Sequence, residues 1–243
     1  ITGIIGTNGS GKSTLMKVMT KLLKPQEGSV YLDQQLIQDK KKDLFAYRQE
    51  VNMVFQNPEQ QLFYTIAKDD IGMALENLGY SKEECDKRVQ EAIELMDIKE
   101  LQDRPVQYLS YGQKKKVAIA GMLALKPRFL LLDEPTAGLD PKGRDQMAMI
   151  MKKLVSNGTS IIVTSHDMDL MYDCCDYAYL ITKGKIMTQG TKYEVFQQEE
   201  ILLDAGLSVP WIVKLHQAIQ TPLVENEEIL FDQLKEGYLW QNR

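Results

Sequence analysis

Apolar positions along the chain alternate between two patterns, and that alternation predicts an α/β protein with a largely parallel sheet. Short β-branched runs bounded by glycine or charge read as strands, and longer stretches with helical spacing lie between them. Ile4-Ile5 closes a strand that feeds a helix over residues 15–23. Residues 28–33 and 51–55 read as two more strands, both expected to be shielded from solvent, the second stopping at Gln56. Over residues 65–124 the period turns helical, which makes this segment an insertion. Within it Ser81-Lys82-Glu83-Glu84 reads as a capping box, with Val89, Ile93, Leu95 and Met96 as the apolar face behind it. Strand patterning resumes at Phe129–Asp133, followed by a helix from about residue 142 to 155, Gly158 past its end, and a strand over 160–164. Residues 177–181 and 185–189 pattern as a hairpin around Lys183-Gly184, after which short helical stretches continue.

The chemistry begins at the first turn. Gly6-Thr7-Asn8-Gly9-Ser10-Gly11-Lys12-Ser13 is a complete phosphate-binding loop between a strand and a helix. Its glycines let backbone N–H groups curl around a polyphosphate, and the helix that follows aims its positive end at the same anion. Lys12 adds a formal charge toward the β and γ oxygens, and the Ser13 hydroxyl is placed to complete the shell of a phosphate-bound Mg²⁺. Composition narrows the partners. The chain has 243 residues, a formal net charge of −5 and a pI near 5.3, which disfavours nucleic acid as a ligand. Cys85, Cys174 and Cys175 lack metal-ligand spacing and read as packing residues of a reduced, cytoplasmic protein. No window has the uninterrupted apolar length of a bilayer-spanning helix. Ile1 is not an initiator methionine and the first strand is short, so the amino-terminal end reads as truncated.

A second element is the apolar strand Phe129–Asp133, which delivers Asp133 and Glu134 at its end. Side chains alternate along an extended chain, so the two acids point differently: one carboxylate can hold metal while its neighbour faces a water attacking the γ-phosphate. A pair of acids capping the turn before Pro135 is the bland alternative, which the preceding phosphate loop disfavours.

The third element is Leu109-Ser110-Tyr111-Gly112-Gln113. With the phosphate loop, Gln56 after a strand, the Asp133-Glu134 pair, Ala137-Gly138-Leu139-Asp140 and the isolated His166, it resembles the ABC-type ATPases, in the same order and over residues 6 to about 190. The resemblance implies a phosphate-loop NTPase core with a mainly parallel sheet, an inserted helical subdomain over about 57–127 and a peripheral antiparallel β portion. It implies an ATPase domain over 1–206 and a carboxy-terminal extension over 207–243. It also implies that Gly6, Thr7, Asn8, Gly9, Ser10, Gly11, Lys12, Ser13 and Thr14 hold ATP, that Ser13, Gln56 and Asp133 organise Mg²⁺, that Glu134 is the catalytic carboxylate, and that His166 contacts the γ-phosphate. Ser110, Tyr111, Gly112, Gln113 and Asp140 would act across an interface on ATP held by a second ATPase subunit, identical or paralogous. Tyr111 stands where the family pattern has glycine; the main-chain contact survives there if the position does not need positive φ.

Asn57-Pro58-Glu59-Gln60-Gln61-Leu62-Phe63 and the segment after it resemble the cobalt, nickel and vitamin importers of the energy-coupling-factor group, where this stretch lies beside a groove for short helices of a membrane-embedded partner. The implied location is the cytoplasmic face of a membrane. Leu207-Ser208-Val209-Pro210 and the stretch from Trp211 to Ile219 resemble that group's extension, and the tail carries Ile229, Leu230, Phe231, Leu234, Leu239 and Trp240 with helical spacing. Two rivals fit less well. An ABC-type ATPase of DNA repair would carry long heptad arms, which are absent from this sequence, and a small-molecule kinase has no use for residues 110–113.

Overall fold

A computed structural model describes residues 1–220 and 222–235. In chain order its elements are β1 (Thr2–Ile5), α1 (Lys12–Met19), β2 (Tyr31–Leu32), β3 (Gln35–Leu36), α2 (Lys41–Glu50), β4 (Val51–Val54), α3 (Ala67–Asn77), α4 (Lys82–Met96) and α5 (Tyr111–Ala124), then β5 (Phe129–Asp133), α6 (Pro141–Ser156), β6 (Ser160–Ser165), α7 (Met168–Cys174), β7 (Tyr177–Thr182), β8 (Lys185–Thr191), α8 (Lys192–Phe196), α9 (Glu199–Asp204), α10 (Trp211–Ile219) and α11 (Glu227–Lys235). The chain divides into two compact units, one of Ser13–Val163 and one of Ile1–Lys12 with the described residues from Thr164 on.

In the larger unit β4 pairs in parallel with β5, Val51 opposite Phe129 and Val54 opposite Leu132, so both strands end on the same side. All four β4 residues are buried as expected, the polar Asn52 with them, beside a core of Met16, Tyr47, Val51, Met53 and Leu131. The strand expected over 28–33 behaves differently. Only Tyr31 and Leu32 are extended, they form a hairpin with Gln35 and Leu36, and Tyr31 is 61% exposed, because two-residue strands turned at Asp33 and Gln34 (φ 49° and 65°) present one face to water. Helix α2 has no counterpart in the hydrophobic pattern: its one buried residue is Tyr47, whose hydroxyl donates to the Met19 carbonyl.

The helical insertion forms as α3, α4 and α5. Ser81 caps α4 by accepting from the Glu84 N–H at 3.3 Å, but the capping box is only half made. The Glu84 carboxylate turns forward to Arg88 at 2.6 Å, where a charge-assisted bond one helical turn on outcompetes a neutral backbone donor. Helix α5 begins at Tyr111, directly after Leu109-Ser110, because Ser110 and Gln113 make a full capping box.

In the smaller unit β1 runs parallel to β7, Ile5 opposite Leu180, and β8 folds back antiparallel on β7 through Lys183 and Gly184, both at positive φ, as the hairpin pattern predicts. Cys174 and Cys175 lie buried here, and Cys85 is buried in α4. The segment leading into α11 is stapled from inside: Tyr172 Oη donates to the Val224 carbonyl at 2.7 Å, and Lys192 Nζ donates to the carbonyls of Tyr172 at 3.2 Å and Glu225 at 2.8 Å. Burial pushes the Tyr172 phenol up and the Lys192 ammonium down. Ring stacking of Trp211 on Phe231, centroids 6.3 Å apart, joins α10 to α11, whereas Leu239 and Trp240 lie outside the described residues. Tyr172→Phe strands a buried carbonyl and is expected to lower unfolding stability by about 1–2 kcal/mol, seen as a lower urea midpoint at unchanged slope.

Candidate nucleotide site

The loop Gly6–Lys12 is built so tightly that its sequence has little freedom. A Cβ on Gly6 would sit 2.3 Å from the Ile181 carbonyl oxygen and 2.7 Å from Ser10 Oγ, and Gly11, at φ 107°, occupies backbone space that side chains avoid. Ser10 N–H donates to the Thr7 carbonyl at 3.2 Å, and Gly184 N–H donates to the Ser10 carbonyl at 2.9 Å, which anchors the loop to the β7–β8 turn. Lys12 is buried, its Nζ donating to the carbonyls of Gly6 at 2.6 Å and Thr7 at 3.2 Å. Ser10 Oγ, 4% exposed as a residue, has no hydrogen-bond partner. A buried hydroxyl without a partner beside an ammonium in a glycine cradle suits an anionic oxygen, so this loop fits a polyphosphate. His166 follows β6 and is exposed; next to it Asp167 caps α7, accepting from the Leu170 N–H at 3.1 Å.

In the larger unit, α1 and β5 bring Ser13 and Asp133 together, Ser13 Oγ donating to Asp133 Oδ1 at 3.0 Å. Two hard oxygens at this spacing suit Mg²⁺, which takes one or two protein oxygens and fills its octahedron with water and phosphate. No cluster of three or more His, Cys, Asp or Glu able to hold a metal occurs among the described residues. Because β4 and β5 are parallel and in register, Gln56 leaves the same strand ends as Asp133 and Glu134. Gln61 fixes the start of that turn, its side chain accepting from Phe55 N–H at 2.7 Å and donating to the Met53 carbonyl at 2.9 Å.

Glu134 is buried and has φ 46°, left-handed backbone that a non-glycine residue adopts at a cost of about 1–3 kcal/mol. The group that holds it there escaped the sequence analysis. Lys115, 1% exposed in α5, donates from Nζ to the carbonyls of Glu134 (3.0 Å), Pro135 (3.0 Å) and Ala137 (2.7 Å). Burial lowers its pKa from 10.5 to about 8, against the opposing pull of the Glu134 and Asp133 charges. The signal was present: Lys115 sits three and four positions before Ala118 and Ile119 in an apolar helix, which points its stem inward, although a run of three lysines reads at first as a solvated face.

The remaining candidates gather at the amino-terminal end of α5. Ser110, Tyr111, Gly112 and Gln113 line one open cavity of about 540 Å³ with Gly138, Leu139 and Asp140. Lys116, Lys142 and Glu100, missed in the sequence, also line it, so that with Asp140 its wall carries two charges of each sign. Ser110 N–H donates to Gln113 Oε1 at 2.9 Å and Gln113 N–H to Ser110 Oγ at 3.3 Å, so the Ser110 hydroxyl proton stays available to an outside acceptor. Tyr111 has helical backbone, not positive φ, and its N–H and that of Gly112 lie in the first turn, where no helical acceptor exists. Asp140 caps α6, accepting from Gly143 N–H at 2.7 Å.

The family model described as ABC transporter matches residues 1–137. The chain belongs to the ABC transporter ATPase family. Its curated relatives include the cobalt import ATP-binding protein CbiO of Salmonella typhimurium, 47% identical over 97% of this chain and 87% of that protein. The energy-coupling factor transporter ATP-binding protein EcfA of Methanosphaera stadtmanae is 40% identical over 89% of this chain and 78% of that protein. Among solved structures, CbiO1 of Clostridium perfringens, described as part of the ABC transporter complex cbiONQ, superposes with a TM-score of 0.74 at 39% identity, covering 89% of this chain and 86% of that one. The mixed α/β fold with a mainly parallel sheet and an antiparallel β pair is that of the ABC ATPases, and the protein is an ATP-binding ATPase.

Lys115→Met strands the Pro135 and Ala137 carbonyls, Glu134 keeping only the Ala137 N–H at 3.1 Å, and is expected to lower stability at neutral pH by about 2 kcal/mol. Unfolded Lys115 keeps its proton to about 10.5 and folded Lys115 loses it near 8, so between these values the unfolded chain binds more protons and folding becomes more favourable as pH rises. Denaturant titrations from pH 8 to 10.5 should therefore show the wild type gaining stability relative to Lys115→Met.

Proposed function

We propose that this ABC ATPase powers a membrane importer of the CbiO and EcfA type, for cobalt or nickel ions or a vitamin, from a peripheral position on the cytoplasmic face of the membrane. The observation that carries the reading is the pairing of Ser13 Oγ with Asp133 Oδ1 beside a buried, strained Glu134, together with a capped helix end at Ser110 that lines an open cavity. Gly6, Thr7, Asn8, Gly9, Ser10, Gly11, Lys12, Ser13 and Thr14 bind the phosphates of ATP, Lys12 exchanging its two carbonyl acceptors for phosphate oxygens. Ser13, Gln56 and Asp133 are the oxygen donors toward Mg²⁺, which when bound neutralises charge developing on the β and γ oxygens. Glu134 orients the attacking water and takes its proton, and His166 contacts the γ-phosphate.

Two copies of the chain, or this chain and a paralogue, close on two nucleotides. Ser110 Oγ, the N–H groups of Tyr111 and Gly112, and the dipole of α5 then meet the triphosphate held by the other subunit, with Gln113 holding the cap and Asp140 lining the same wall. Loss of phosphate removes the anion that both chains share, so hydrolysis loosens the pair.

The membrane subunits dock on the segment after Gln56. Phe63 is 71% exposed at a hollow of about 320 Å³ formed with Glu59, Leu62 and Tyr64, on a loop pinned by Asp70, which accepts from the N–H groups of Phe63 at 2.6 Å and Tyr64 at 2.7 Å. A larger groove of about 640 Å³, floored by Phe45, Met73, Met122 and Leu125, suits the apolar face of a short helix, and the unpartnered Asn52 amide in its wall suits a helix-end carbonyl. Among the described residues no helix is long and apolar enough to cross a membrane, in keeping with a peripheral subunit held by partners.

Glu134→Gln should bind ATP normally, turn over at least about a hundredfold more slowly, and form a stable dimer with ATP and Mg²⁺ on a sizing column. Lys12→Ala should weaken nucleotide binding itself. Near-normal hydrolysis by the Glu134 variant would remove it from the reaction. Phe63→Asp should keep basal ATPase activity but lose co-purification with the membrane subunits; retention of both would place the docking surface elsewhere.

A further inference from the structure

The side chain of Tyr111 does more than leave room for a main-chain contact. Its Oη donates to the Gln56 carbonyl at 3.0 Å across 55 residues of sequence. Its ring fills the space over Gly138, whose Cβ would lie 3.0 Å from Cε1 and 3.4 Å from Cδ1, and Lys115 Nζ stands 5.2 Å from the ring centroid. One side chain at the first position of α5 thus touches the turn that carries Gln56, the turn that follows Glu134, and the ammonium that holds that turn. The neighbouring residues of the Gln56 turn are fastened locally, Phe55 by Gln61 and Glu59 by the Asn57 side chain at 3.0 Å, and the bond to Gln56 itself comes from α5. A glycine here, the residue of the family pattern, supplies neither hydroxyl nor ring.

We infer that Tyr111 is a positioning residue that locks Gln56 to the amino-terminal end of α5, so that seating this helix end on a partner's nucleotide sets the placement of Gln56 in its own chain. The inference rests on the role of Gln56 toward Mg²⁺ proposed above. A carbonyl held through a phenol cannot drift independently of α5, and the Gln56 side chain rides on the same residue. A rigid-body tilt of α5, driven by capture or loss of the partner's phosphate, moves Gln56 with it. In a chain with glycine at this position the coupling has to pass through the longer path of the intervening helices.

Tyr111→Phe keeps the ring on Gly138 and removes only the bond to Gln56. In the nucleotide-free full chain, amide hydrogen exchange over residues 55–61 is expected to quicken about threefold to tenfold, the worth of one neutral hydrogen bond, with α3 and α4 unchanged. In steady-state hydrolysis the Mg²⁺ concentration for half-maximal rate should rise by a similar factor while KM for ATP stays within about twofold. Tyr111→Gly should reproduce both effects and also quicken exchange over 135–139. Unchanged exchange over 55–61 in Tyr111→Phe overturns the lock, as does a normal Mg²⁺ requirement in a Tyr111→Phe protein when Gln56→Ala shifts it. Should Gln56→Ala itself leave the Mg²⁺ requirement unaltered while exchange in Tyr111→Phe quickens, it is the metal role of Gln56 that falls and the lock that stands.

Discussion

A single buried ammonium sets the geometry after β5. Glu134 occupies left-handed backbone, and the three carbonyls of Glu134, Pro135 and Ala137 converge on Lys115 Nζ, that of Glu134 also accepting from the Ala137 N–H at 3.1 Å. Each bond to a charged donor contributes about 1.5–3 kcal/mol, enough together to offset both the strain at Glu134 and part of the desolvation of the lysine. The arrangement is coupled in both directions: the charges of Asp133 and Glu134 favour the ammonium form, and the ammonium keeps the turn that aims Glu134. With Gly112 and Leu139 also in close approach, the start of α5 and the turn from Glu134 to Asp140 form one rigid piece.

Two features that suit an anion occur in the chain, and they are assembled from different physics. The loop Gly6–Lys12 is a backbone cradle, closed by missing side chains and a buried lysine. The Ser110 end of α5 is a capped helix terminus whose Tyr111 and Gly112 N–H groups have no helical acceptor, at a cavity lined by Lys116, Lys142, Glu100 and Asp140. The proposed reading, an ATPase that works in pairs, draws on both.

Much of this was legible in the sequence, because phosphate chemistry demands contiguous residues with little tolerance. The loop, the Asp133-Glu134 strand end and the segment 109–113 stand in unbroken runs, and the strands bearing them are simple apolar stretches. The β7–β8 hairpin was legible for a similar reason: Lys183-Gly184 is a local turn signal. What escaped was nonlocal or amphiphilic. Helix α2 buries one tyrosine and so leaves no stripe; β2 and β3 owe their pairing to a turn of two non-glycine residues at positive φ. The Ser81 box failed by half because Arg88, one turn on, claims Glu84. Lys115 hid in a run of like charges, and the Tyr111 contact joins residues 55 positions apart, which no spacing rule reaches.

The reciprocal bonds of Ser110 and Gln113 carry one more consequence. The helix end that the proposed pairing would offer to a neighbouring chain is already capped within its own chain, so closing such a pair would order no backbone there. Under that proposal, encounter between subunits would gain little steering from this cavity, because Lys116 and Lys142 share its lining with Glu100 and Asp140 and the opposite charges offset one another.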